Sequence, residues 1–227
     1  MVRPFVLVNV AVSADGKLST RERRQVKISG PEDFDRVDII KSGADAIMVG
    51  IGTILADDPS LTVKSPVRIG DRLSLGRSEH PVRIIVDSKG RTPPDAKILH
   101  KGSGRRIIAV SRAAPDSQII LLKPYADIIT CGENEVDLAE LLIELGRQGI
   151  GRLMVEGGGT LIAGLFASGL VDQVSMFVGN MIIGGKDAPT LADGMGWIRE
   201  EEFTRLELIQ VKPMDQGVLI DWKVSIN

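Results

Sequence analysis

The chain has 227 residues, 43% of them apolar and 26% charged, with a formal net charge of −2 at pH 7. This balance suits a soluble globular fold with a sizeable core and excludes a disordered chain, while the lack of a basic surplus argues against nucleic acid as a partner. A single cysteine, Cys131, rules out an internal disulfide, and with only His80 and His100 beside it no metal is expected. No apolar stretch reaches membrane-spanning length and residues 5–10 are too short for a signal segment, so a cytoplasmic protein with no membrane partner is expected.

Strand-sized runs rich in Val and Ile recur at residues 5–12, 46–49, 82–86, 107–110, 127–130, 153–155 and 174–178. Helical patterns lie between several of them. Residues 31–41 place Phe34, Val37 and Ile40 on one face, and Ser29 with Glu32 has capping-box spacing at its start. Residues 137–148 carry Leu138, Leu141, Leu142 and Leu145 at helical spacing and stop at Gly149, and residues 160–167 form a third helix. The alternation predicts an α/β fold, a mostly parallel central sheet with helices on both faces. Residues 206–211 and 218–224, joined by a turn at 212–217, predict a C-terminal antiparallel hairpin at the sheet edge. Residues 65–80 are polar, basic and without clear periodicity, and read as a surface insertion in a single domain, 1–227.

The most informative junction is the end of the strand at 153–155, where Glu156 precedes Gly157, Gly158, Gly159 and Thr160. A glycine run before a helix lets successive backbone N–H groups point at an anion at the helix's positive end; the same glycines also serve a tight strand-to-helix turn. The segment breaks the G-x-G-x-x-G fingerprint at Ile162, and residues 179–187 do not have P-loop spacing. Gly50-Ile51-Gly52-Thr53 repeats the strand, glycine and helix arrangement and leads to Asp57-Asp58-Pro59, which is also how a proline-broken helix end reads. Asp15-Gly16-Lys17 and Asp87-Ser88-Lys89 lie beyond two further strand ends. Their turn chemistry is ordinary, but in an open parallel sheet ligands bind outside such ends.

Together these stretches resemble the riboflavin-pathway reductases with a dihydrofolate-reductase-like fold, in their stand-alone form. The resemblance runs through Asn9 with Asp15-Gly16-Lys17, Gly50 to Thr62, Pro81-Val82-Arg83 with Val86-Asp87-Ser88, Glu156 to Thr160, Gly169 to Asp172, and Ile183 to Pro189. In bacteria such a reductase is often fused behind a zinc deaminase. The H-x-E and P-C-x-x-C residues of that domain are missing here, so reduction without deamination is expected.

The resemblance implies hydride transfer from NADPH, with NADH as the alternative, to C1′ of a phosphorylated ribosylaminopyrimidine, through the ring-opened imine, giving the ribitylamino form. It assigns Thr53, Asp57, Ser88, Gly157, Gly158, Gly159 and Thr160 to the cofactor, and Lys17, Lys41, Asp58, Leu61, Lys64 and Glu156 to the substrate. Lys17 and Glu156 are the candidate catalytic residues, to polarise the imine or hold the sugar hydroxyls, and Lys41 and Lys64 are the cations for the 5′-phosphate. A homodimer is implied, with residues 174–178 and the hairpin offering edge surface. A same-fold reductase of another heterocycle such as a pterin, and a nucleotide-binding module without turnover, are the alternatives.

Overall fold

The computed structural model describes residues 3–24 and 26–225. The chain opens with β1 (Phe5–Ser13) and α1 (Pro31–Gly43). It continues with β2 (Ala46–Gly50), α2 (Ile51–Asp57), α3 (Pro66–Ser74), β3 (Val82–Val86), α4 (Lys97–His100), β4 (Arg106–Val110), α5 (Asp116–Leu122), β5 (Asp127–Thr130), α6 (Leu138–Arg147) and β6 (Arg152–Val155). It closes with α7 (Gly159–Ala167), β7 (Gln173–Gly179), β8 (Arg205–Met214) and β9 (Gly217–Ser225). These elements form two compact units: Asp38–Met154 with the chain start up to Phe5, and Val6–Val37 with the residues from Val155 onward.

The first unit holds strands in the order β5-β4-β3-β2-β6, and β2 to β5 pair in parallel. Ile47 and Met48, Ile84 and Ile85, and Ile107 and Ile108 are neighbours in sequence that point to opposite faces, and all six are at most 1% exposed. Both faces are therefore covered, which is why these strands read as continuous apolar runs. Asp137 caps α6, accepting the Glu140 N–H at 2.9 Å, and Gly149 leaves the helix at φ +84° as expected from sequence.

Residues 65–80, read as a surface insertion without clear periodicity, contain the helix α3. Ser65 caps α3 and Pro66 opens it, and the buried Arg72 donates to the carbonyls of Ser42, Ala44 and Ser78. The helix turns Arg72 inward and leaves Val67 and Leu73 exposed, the reverse of the apolar-in pattern that sequence reasoning looks for.

In the second unit the order is β1-β7-β9-β8, with β1 and β7 parallel and both pairings of β9 antiparallel. The predicted hairpin is present, but its turn is only Asp215-Gln216, with Asp215 at φ +48°. Pro213 lies in β8 at the end of the order, where its missing N–H is tolerated. The strand at 173–179 offers no edge, because β1 and β9 flank it.

Two expectations for α1 are corrected here. Its N-terminus is capped from afar, by the Asp215 carboxylate, which accepts the N–H groups of Gly30, Glu32 and Asp33 at 3.2, 3.1 and 2.9 Å. Glu32 meanwhile takes the Lys212 ammonium at 3.0 Å rather than closing a box with Ser29. Phe34 is 52% exposed, whereas Asp33 is buried. The reason is a polar row across the sheet: Asn9, Ser175 and Asp221 stand opposite one another on β1, β7 and β9. Arg36 of α1 donates to Asn9 and Ser175, both at 2.8 Å, and pairs with Asp33. The helix turns its charged side inward because what it covers is hydrogen-bonding.

Candidate functional site

The glycine run after β6 divides its labour. Gly157 and Gly158 sit at φ +89° and +96°, where a side chain is strained. Gly159 has a different reason to be glycine: a Cβ there would lie 2.6 Å from Asp193 Oδ2 and 2.8 Å from the Thr190 carbonyl. Gly158 caps α7 without any side-chain hydrogen bond, and no acidic residue stands in the first turn. Gly158 thus brings no side-chain acceptor of its own to the first N–H groups of this helix, the positive end that an anion favours. Glu156 is half-buried directly before them, and Thr160 is exposed in the first turn.

Lys17 belongs to a tight turn beyond β1. The Ser13 N–H donates to the Lys17 carbonyl and the Lys17 N–H to Ser13 Oγ, each at 2.9 Å, and Gly16 takes φ +79°. Asp15 accepts the Ser13 hydroxyl at 2.6 Å and the N–H groups of Ile183 and Gly184 at 3.0 and 2.8 Å. The Ser13 hydroxyl first, with the Ile183 N–H next, holds its carboxyl down to about 2. The Lys17 ammonium rests on the Ala188 carbonyl at 3.3 Å, and its backbone bridges to Thr190. Lys17 and Gly159 thus both abut the segment that carries Thr190.

In the first unit, Gly50 and Val86 are register partners, so the start of α2 and the turn at Asp87-Ser88 leave the sheet side by side. Thr53 is half-buried on α2, and burial pushes the Asp57 carboxyl up. Asp58 ends the helix in the left-handed region, its carboxylate accepting the Lys97 N–H at 2.7 Å and pairing with the Lys97 ammonium at 3.1 Å. Partial burial opposes its ionisation, but the Lys97 N–H and ammonium outweigh it and the pKa is lowered. Leu61 is buried at φ +51°. The Lys64 ammonium donates to Thr62 Oγ1 at 2.7 Å and Ser60 Oγ at 3.1 Å, an arrangement that presents a localised cation. Ser88 Oγ accepts the Val136 N–H at 3.1 Å and its carbonyl accepts the Ser111 hydroxyl, so Ser88 also braces its own turn.

Sequence reasoning overlooked Asp38, which positions this segment. Buried on α1, it accepts the Lys64 and Ser65 N–H groups at 2.6 and 3.0 Å and the Arg68 guanidinium at 3.0 Å. Lys41, half-buried, follows it in the last turn of the same helix. Thr190 and Asp193 were also overlooked, although their Thr-x-x-Asp spacing is a legible local signal. Among the described residues there is no metal-binding cluster of His, Cys, Asp and Glu, and no helix long and apolar enough to cross a membrane.

Residues 4–220 match the model of a family described as the RibD C-terminal domain. A 2,5-diamino-6-ribosylamino-4(3H)-pyrimidinone 5′-phosphate reductase of Archaeoglobus fulgidus is 46% identical over 208 residues, which is 92% of this chain and 94% of that protein. Among solved structures, RibD of Acinetobacter baumannii superposes with a TM-score of 0.80 at 23% identity, over 99% of this chain and 59% of that one. Dihydrofolate reductase from Enterococcus faecalis, in complex with NADP(H), has a TM-score of 0.50 at 10% identity over 98% of this chain and 97% of its own. The fold is therefore dihydrofolate-reductase-like.

Proposed function

The chain belongs to the RibD C-terminal domain family, and from that premise we propose that it is the reductase of riboflavin biosynthesis that converts 2,5-diamino-6-(5-phosphoribosylamino)pyrimidin-4(3H)-one to its ribitylamino form with NADPH. The observation that carries this reading is the end-to-end similarity to a reductase of that name. The residues fit a nicotinamide cofactor on their own terms: the two positive-φ glycines bare the backbone at the start of α7, and the N-cap, Gly158, brings no side-chain acceptor of its own.

When bound, the cofactor supplies a hydride for C1′ of the sugar. Gly157, Gly158, Gly159 and Thr160 are assigned to its phosphates, with Thr53, Asp57 and Ser88 as further cofactor residues. Lys17, its ammonium anchored on Ala188, polarises the imine nitrogen by offering a proton from Nζ, and Glu156 holds the sugar hydroxyls. Lys64, set by Asp38, and Lys41 neutralise the 5′-phosphate, while Asp58 and Leu61 complete the substrate side. The proposed working form is a cytoplasmic homodimer of this single reductase domain. For pairing, β8 offers an unpaired edge on which Leu206, Leu208, Ile209 and Val211 are 41–55% exposed.

The test is turnover of the phosphorylated pyrimidine, followed by loss of reduced-nicotinamide absorbance, with NADPH binding measured separately. Lys17→Ala and Glu156→Gln are each expected to lower turnover about 10²-fold with NADPH still bound. Near-native turnover in both variants refutes the catalytic assignment, and no turnover by the unaltered chain refutes the function.

A further inference from the structure

The connection between β7 and β8 holds a segment, residues 181–193, that is fastened to two working parts of the second unit. On one side it follows the turn beyond β1. The Asp15 carboxylate accepts the Ile183 and Gly184 N–H groups, the Met181 and Pro189 carbonyls accept the N–H groups of Ala14 and Leu18 at 2.8 Å each, and Ala188 receives the Lys17 ammonium. On the other side it presses on the start of α7, where the Thr190 carbonyl and Asp193 Oδ2 occupy the space a Gly159 side chain would need. Thr190 belongs to both sides, since its backbone also bridges to Lys17.

What holds Thr190 is Asp193. Asp193 Oδ1 accepts both the backbone N–H and the hydroxyl of Thr190, each at 2.9 Å, while Oδ2 faces Gly159. The ring these atoms close has no slack: a longer carboxylate would drive into Gly159, and a methyl would take from Thr190 the acceptor of both its N–H and its hydroxyl. We propose that Asp193 is a positioning residue of the reductase, which through Thr190 sets Lys17 against the glycine turn at the start of α7. This inference rests on the reading of that turn as a cofactor cradle and of Lys17 as the group that acts on the substrate. It also explains the third glycine: Gly159 is small so that Asp193 can reach its place.

The experiment compares Asp193→Ala, Asp193→Asn and Lys17→Ala with the double variant of Asp193→Ala and Lys17→Ala. It reads kcat, KM for each substrate, NADPH affinity by fluorescence, and melting temperature. Asp193→Ala is expected to lower kcat about tenfold or more, because misplacement of a reacting group by a fraction of an ångström is enough for that. The melting temperature should stay within about 4 °C of the unaltered chain. Asp193→Asn keeps an acceptor oxygen for Thr190 and should recover most of kcat. In the double variant the two losses should fall short of their product, since Asp193 acts through Lys17. A wild-type kcat in Asp193→Ala, a loss that Asp193→Asn does not relieve, or a full product in the double variant overturns the inference while leaving the proposed function standing. An unaltered chain that neither binds nor oxidises NADPH overturns the function, and the inference with it.

Discussion

Replacing Asp38 with Ala strips three donors of their acceptor at once: the N–H groups of Lys64 and Ser65 and the guanidinium of Arg68. Arg68 can swing into water, but the two backbone groups are fixed by the entry to α3, and Asp38 itself is only 6% exposed. An unpaired buried N–H costs about 1–3 kcal/mol. Water entering beside the exposed Lys64 returns part of that, so a loss of about 2–4 kcal/mol follows. At about 2–4 °C per kcal/mol for a chain of this size, the midpoint should fall by roughly 4–16 °C. The effect also carries a pH signature. Burial alone would raise the Asp38 pKa, but the Lys64 and Ser65 N–H groups and Arg68 outweigh it and lower it. A carboxyl depressed on folding stabilises the fold fully above its unfolded value and loses that contribution as pH falls through the folded value. The gap between wild type and Asp38→Ala should therefore be widest near neutrality and narrow below about pH 4, the unfolded aspartate range. Thermal melts of both proteins between pH 7 and 3 measure it, with KM for the phosphorylated substrate as the functional readout, expected to rise as Lys64 loosens. A midpoint within 2 °C of wild type at pH 7, or a gap that does not narrow in acid, would refute the reasoning.

Two further outcomes test the frame around the site. Arg83, fully buried, donates to the Ser103 carbonyl at 2.7 Å and to Lys101, and burial, then the neighbouring Arg106, brings its pKa down to about 10, still charged at neutral pH. Arg83→Met leaves those carbonyls bare and should cost about 3 kcal/mol in urea unfolding; Arg83→Lys should not restore it, because one ammonium does not reproduce the guanidinium's fork. Cys131 is 1% exposed, and burial first, then Glu140 and Asp137, pushes its thiol up to about 11. A disulfide reagent at pH 8 should label it only at the rate of unfolding, and fast labelling of the folded chain would contradict this placement.

The parallel strands were legible because burial on both faces writes itself as short runs of Val and Ile, and β1 to β7 lie where those runs do. The glycine turn before α7 was equally open to reading, since two of its glycines answer a local demand, positive φ. The third answers a demand set by Asp193, more than thirty positions away, and nothing near Gly159 in the chain announces it. The helix at Pro66–Ser74 escaped notice because its buried contact is Arg72 while Val67 and Leu73 face solvent, so polarity along the chain did not announce which side is covered.

Local backbone needs and apolar periodicity, then, determined the succession of strands along the chain and the turns from sequence alone, and the motif residues at the strand ends carried the family resemblance. Tertiary structure decided which charges turn inward and what satisfies them. α1 presents Asp33 and Arg36 to a row of polar groups on three strands, and its first N–H groups are capped by Asp215, 185 positions from Gly30. Hydrogen-bond partners of that kind carry no spacing rule, because the chain must fold before donor and acceptor become neighbours.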